Sequence, residues 1–193
     1  MPFPENGSLQ DLCSPDHLCW TYRSAGEQLS AVALFVQIGL ECGERCLWVV
    51  DENTFSGVTE ALRSQGILVD EAIHAGALRI LTKYDCYLKQ GYFDPDWMVQ
   101  FVREQVKAAK NAGFKALRAT GEMSWATGSE PGVERFLEYE AKLNRVAPDL
   151  DALIACQYNW NHFQPDVVRE ILYVHPGVIS ENRVRRNPYY LPT

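Results

Sequence analysis

Two adjoining stretches limit the fold more than any other part of the chain. From about Gly26 to Leu40, residues Leu29, Val32, Ala33, Val36 and Leu40 share one helical stripe, which Gly43 ends. The spacing then changes at once, because Cys46-Leu47-Trp48-Val49-Val50 is a nearly continuous apolar run, as in a strand buried on both faces. Such a strand needs helices on both sides, so a parallel sheet between helical layers is expected. The rest of the chain repeats the alternation. Strands are predicted at His17–Tyr22, Leu78–Leu81, Lys115–Thr120, Ala152–Cys156 and from Val178. Helices are predicted over Gly57–Gln65 with Ser56 as cap, from Asp94-Pro95 to Gly113, over Val133–Arg145, and from Gln164-Pro165 to about Val174. Strands and helices alternating at these lengths imply right-handed crossovers in one α/β unit.

With 193 residues and no internal repeat, the chain suits one domain. The expected division is a loosely held lead-in over 1–16, the domain over 17–182, and an extended tail or linker to a downstream module over 183–193. The 25 acidic against 18 basic side chains give a net charge of −7, and the basic residues cluster only at Arg183, Arg185 and Arg186. That balance argues against direct nucleic-acid binding, which needs a basic face. The start, Met1-Pro2-Phe3-Pro4-Glu5, does not read as a signal peptide, and the apolar stretch Ala31–Ile38 is too short to span a membrane. A cytoplasmic location is expected, with Cys13, Cys19, Cys42, Cys46, Cys86 and Cys156 as thiols.

Ligands of open parallel sheets bind beyond the carboxyl ends of the strands, which here carry Tyr22-Arg23, Asp51-Glu52-Asn53, Tyr84-Asp85, Gly121-Glu122 and Tyr158-Asn159-Trp160. A phosphate-binding loop needs several glycines, a lysine and a Ser or Thr. The first strand-to-helix turn, Tyr22-Arg23-Ser24-Ala25-Gly26-Glu27-Gln28, has one glycine, no lysine and a carboxylate at the helix start. No catalytic residue is assigned. His17 and Cys19 alternate on one strand and so share a face, and with Cys156 they form the set that a soft metal would use. A hydrogen-bonded histidine beside buried cysteines is the plainer account, and the sequence requires no cofactor. Arg118 with Glu122 or Glu140 either fixes the fold or reads a polar ligand group. Trp125, Tyr139, Tyr158 and Trp160 either wall an apolar pocket or fill the core.

Several spaced motifs then combine. They are His17-x-Cys19-x-x-Tyr22, Gly39-Leu40-x-x-Gly43-Glu44-x-Cys46-x-Trp48, Arg118-x-x-Gly121-Glu122-Met123-x-Trp125, Glu138-Tyr139-Glu140-x-x-x-Asn144, Cys156-x-Tyr158 and His175-Pro176-x-Val178-Ile179. Together, from about Asp16 to Tyr190, they resemble the MEDS family, the methanogen/methylotroph sensory domain. The resemblance implies a three-layer RecA/KaiC-like α/β domain with a mainly parallel central sheet flanked by helices and without a working Walker A motif. It also implies sensing of a small molecule, hydrocarbon-derived or C1-related, coupled to a histidine kinase or transcription-regulator module, and leaves a homodimer open. Its ligand contacts would come from His17, Cys19, Tyr22, Glu27, Arg118, Glu122, Trp125, Glu140, Cys156 and Tyr158. Two rivals stand beside it. One is a metal, haem or thiol redox sensor centred on His17-x-Cys19. The other is a divergent nucleotide hydrolase using Asp51-Glu52, which follows the second strand where KaiC-like ATPases carry paired carboxylates. The fourth strand, ending Ala119-Thr120-Gly121, offers no acidic magnesium ligand there.

Overall fold

A computed structural model describes residues 7–192; the reading of Met1–Glu5 falls outside them. Eight strands, β1 (Gly7–Ser8), β2 (Asp16–Tyr22), β3 (Arg45–Val50), β4 (Leu78–Thr82), β5 (Leu117–Glu122), β6 (Ala152–Asn159), β7 (Gly177–Ser180) and β8 (Arg183–Arg186), form one sheet. Their order is β1-β8-β7-β2-β6-β5-β3-β4. The six strands from β7 to β4 run parallel, and β8 and β1 extend that edge antiparallel.

Among the described residues, six α-helices cover the two faces: α1 (Ala25–Glu41), α2 (Phe55–Ser64), α3 (Val69–His74), α4 (Pro95–Asn111), α5 (Phe136–Val146) and α6 (Pro165–Tyr173). Alternate residues of each strand serve opposite layers. Leu18, Trp20, Cys46, Trp48 and Val50 pack under α1–α3 around Val32, Phe35 and Leu62. Cys19, Leu47, Val49, Cys156 and Tyr158 pack under α4–α6 around Met98, Val102, Tyr139 and Ile171. The continuous apolar run of β3 therefore feeds two cores at once. Asp94 caps α4 by accepting from the Asp96 and Trp97 amides at 2.9 and 3.2 Å, with Pro95 in the first turn, as predicted.

Four expectations are corrected. Ser56 does not cap α2; Thr54 does, accepting from the Gly57 amide at 3.1 Å, so the helix starts two residues earlier than Gly57. Helix α3 is absent from the sequence reading, because six residues are too few to show a helical period. The lead-in is not loosely held within its described part, since β1 pairs with β8 and Leu9 and Leu12 are buried. Nor does the tail run free: residues 183–186 are β8, and Asn187 donates to the Leu172 and His175 carbonyls.

Gly132 shows how local backbone and core packing are linked. It has φ of 88°, and a Cβ there would meet the Phe93 carbonyl, whose own amide is bonded to Pro131 O at 2.8 Å. Phe93 in turn packs on Trp125 and Tyr139. Gly132→Ala should cost about 2 kcal/mol, combining the left-handed penalty with displacement of the Phe93 segment. Urea denaturation checks this, and an unchanged midpoint would show that the segment gives way freely.

Candidate functional site

Two backbone amides of the turn leaving β2 are taken by its own side chains. Ser24 Oγ accepts from the Glu27 amide at 3.3 Å, and Glu27 Oε2 accepts from the Arg23 amide at 3.2 Å. The amide donors and the dipole that an anion would use at a helix start are thus partly occupied from within.

Behind this turn lies a polar network that the sequence did not reveal. Gln28 Nε2 donates to Gln157 Oε1 at 2.7 Å, Gln157 Nε2 to Thr120 Oγ1 at 2.8 Å, and Thr120 Oγ1 to the Ala155 carbonyl at 2.8 Å. Asn53 Nδ2 donates both to Gln28 Oε1 at 2.8 Å and to Glu122 Oε1 at 2.7 Å. Glu122, fully buried, accepts three successive backbone amides at Oε2, from Asp51 at 2.8, Glu52 at 2.7 and Asn53 at 3.2 Å. A run of amides converging on one oxygen is an anion nest, and here a carboxylate of the same chain fills it. The paired carboxylates are also engaged. Asp51 meets Lys83 Nζ at 2.9 Å and accepts from Ser124 at 2.9 Å; Glu52 accepts from the Tyr22 hydroxyl at 3.3 Å and meets His162 Nδ1 at 2.8 Å.

A second polar centre lies on the other face of the sheet, between β2, β6 and the helices α5 and α6. His17 from β2, Cys156 from β6, Glu140 from α5 and His175, just past α6, are all buried. Glu140 Oε2 stands 3.1 Å from His17 Nε2 and 3.3 Å from His175 Nε2, while Cys156 Sγ is 3.5 Å from His17 Nε2. Tyr158 donates to the other Glu140 oxygen at 2.8 Å. Burial holds His17 below the ordinary imidazole range, with His175 acting the same way. Burial alone would raise Glu140, but the two imidazoles standing against it outweigh burial and hold the carboxyl below its usual range. Burial pushes the Cys156 thiol well up.

The residues singled out in the sequence therefore separate. His17, Glu140, Cys156 and Tyr158 converge in the second centre, and Tyr22, Glu27 and Glu122 belong to the carboxyl edge. Cys19 is buried among apolar side chains and is not one of the four converging ligand atoms. Trp125 stacks on Tyr87 with ring centroids 4.7 Å apart and is plain core, as is Tyr139, whereas Tyr158 turns its hydroxyl to Glu140. Arg118 does not stand at the carboxyl edge, because it is the second residue of β5, about 13 Å short of that end. There it pairs with buried Glu44 and lies over the Phe35 ring at 4.8 Å, so its partner is neither Glu122 nor Glu140. In the second centre, the ligand-type residue that sequence reasoning left out is His175. Its motif position beside Pro176 was visible, but its place 158 residues from His17 was not.

The carboxyl edge also opens a cleft of about 330 Å³ between the β2–α1 turn, α6 and β7. Thr21, Arg23, Glu27, Trp160, Leu172 and Ser180 line it. Its size is at the low end for ligand pockets, and it combines hydroxyls and charges with one aromatic and aliphatic wall.

Among solved structures, the chain is similar to a KaiC-like protein from the hyperthermophilic archaeon Pyrococcus horikoshii OT3, with 16% identity and a TM-score of 0.60 over 85% of this chain and 69% of that one. It is also similar to the flagellar accessory protein FlaH from Methanocaldococcus jannaschii, with 12% identity and a TM-score of 0.61 over 86% of this chain and 71% of that one. These likenesses establish a RecA/KaiC-like α/β fold, the architecture expected from the sequence. No curated protein matches the sequence. The family described as MEDS, MEthanogen/methylotroph, DcmR Sensory domain, matches residues 16–176. The chain belongs to the MEDS family of sensory domains.

Proposed function

We propose that this domain senses a small molecule in the cleft at the carboxyl edge and does not turn over nucleotide. The observation carrying this reading is the occupied β2–α1 turn. Glu27 takes the Arg23 amide and Ser24 takes the Glu27 amide, and a carboxylate stands at the helix start where phosphate would need positive potential. The carboxylates Asp51 and Glu52 already partner Lys83, Ser124, Tyr22 and His162, contacts with which a magnesium ion would have to compete. The cleft beside the turn suits a small ligand with an apolar body on Trp160 and Leu172 and a polar end toward Thr21, Arg23 and Ser180. Such a ligand would touch α6 and β7 together, and from β7 the chain runs directly into β8. A message passes only if the ligand favours one arrangement of this edge over another, and that edge is the natural carrier.

Isothermal titration with Mg·ATP is expected to give no saturable binding at submillimolar concentration. Native mass spectrometry of protein from its own host is expected to show a retained small mass that the half-buried Trp160→Ala variant loses. Saturation by Mg·ATP in the submillimolar range would replace the sensing reading with a nucleotide-binding one.

A further inference from the structure

One ligand atom from each of His17, Glu140, Cys156 and His175 lies within 4.8 Å of the other three. Glu140 Oε2 is 3.1 Å from His17 Nε2 and 3.3 Å from His175 Nε2, and Cys156 Sγ is 3.5 Å from His17 Nε2. Ligands bonded to one tetrahedral ion at about 2.0–2.3 Å stand roughly 3.3–3.8 Å apart, so the spacing suits such an ion.

Hydrogen-bond accounting points the same way. His175 Nδ1 is 2.7 Å from the Ile171 carbonyl, which can only accept, so Nδ1 carries the proton. In neutral His175 the Nε2 lone pair then faces the Glu140 carboxylate oxygen, acceptor against acceptor. Neither His175 Nε2 nor Glu140 Oε2 has a hydrogen-bond partner, although both are buried and close together. Buried polar atoms in that condition need an explanation, and a cation shared between these two acceptors supplies one. Two of the ligands carry the outer partners that metal ligands usually have: Ile171 O holds His175, and the Tyr158 hydroxyl holds the second Glu140 oxygen, whereas His17 Nδ1 has no hydrogen-bond partner.

We infer that His17, Glu140, Cys156 and His175 form a closed tetrahedral site for a divalent transition-metal ion of the Zn²⁺ class. Two imidazoles, a thiolate and a carboxylate are all ligands that Zn²⁺ accepts, and four buried protein ligands with no open position mark a structural site. The ion would clasp α5 and the α6–β7 junction onto β2 and β6. Binding releases the Cys156 thiol proton, as a coordinated thiol must lose it. The inference goes beyond the sensing cleft and does not depend on it.

The test uses the full chain, refolded after chelation and titrated with Zn²⁺ or Co²⁺. The expected result is one equivalent bound per chain, with tetrahedral Co²⁺ bands in the visible and a thiolate charge-transfer band in the near ultraviolet. Cys156→Ser should remove the charge-transfer band, whereas Cys13→Ser/Cys42→Ser, at the two exposed thiols, should keep it. Tyr158→Phe, acting only through Glu140, should weaken metal affinity roughly 10- to 100-fold. If Cys156→Ser does not fold, zinc-edge X-ray absorption of the wild type decides, with one sulfur and three nitrogen or oxygen scatterers expected. A folded wild type that takes up no stoichiometric metal would overturn the site and leave a His175 imidazolium–Glu140 pair in its place; a sulfur count other than one would overturn it too.

Discussion

Glu140→Ala should destabilise the protein by about 3–5 kcal/mol, the range for removing one partner from a buried charged group. The residue has no exposed surface, and its loss strands the Tyr158 hydroxyl and two imidazoles together. None of the three can reach solvent, because His17, Tyr158 and His175 are all buried to within 1%. Glu140→Gln should cost less, about 1–3 kcal/mol, because its carbonyl can still accept from Tyr158 while its amide group loses the charge. Urea denaturation with the slope held constant separates the variants. Equal midpoints for wild type and Glu140→Ala would show that this centre contributes nothing to holding α5 on the sheet.

The difference between what was legible and what was not has a physical pattern. Period and punctuation exposed the strands β2–β6 and the helices α1, α4, α5 and α6, because each buries one regular stripe or run. The short pieces α3, β1 and β8 hold too few residues to show a period, and β1 and β8 owe their existence to pairing across the whole chain length. Capping was readable at Asp94, where Pro95 marks the first turn, but not at α2, where Thr54 and Ser56 are equally good caps and only the chain path decides.

The site follows the same rule. His17 and Cys19 stand out because alternation puts them on one strand face, yet the helix above them selects His17 alone through Glu140. Arg118 was legible as one half of an arginine–carboxylate pair, but Glu122 and Glu140 were the partners expected. Glu44, 74 residues away, wins because it immediately precedes β3, which pairs with β5 in register from Arg45 to Leu117. Local sequence names the chemistry that must be satisfied, and topology chooses the partner.

The second large effect is expected at Glu122, for a reason that differs from Glu140. Its Oε2 terminates three consecutive backbone amides, from Asp51, Glu52 and Asn53, and its Oε1 holds the Asn53 side chain that continues into Gln28, Gln157 and Thr120. Hydrogen bonds to a charged acceptor contribute about 1.5–3 kcal/mol each but are not additive here, so Glu122→Ala should cost about 4 kcal/mol in all. The amides cannot turn away, since the loop they belong to leads straight into the Thr54 cap of α2. Glu122→Gln restores one acceptor but sets an amide donor against either the nest or Asn53, so it should recover only part of the loss. The remaining nest in Glu122→Ala should be a small-anion site, and added formate should raise its melting temperature more than it raises that of the wild type. Should Glu122→Ala unfold at the wild-type midpoint and ignore formate, the carboxylate would not be what closes the loop after β3.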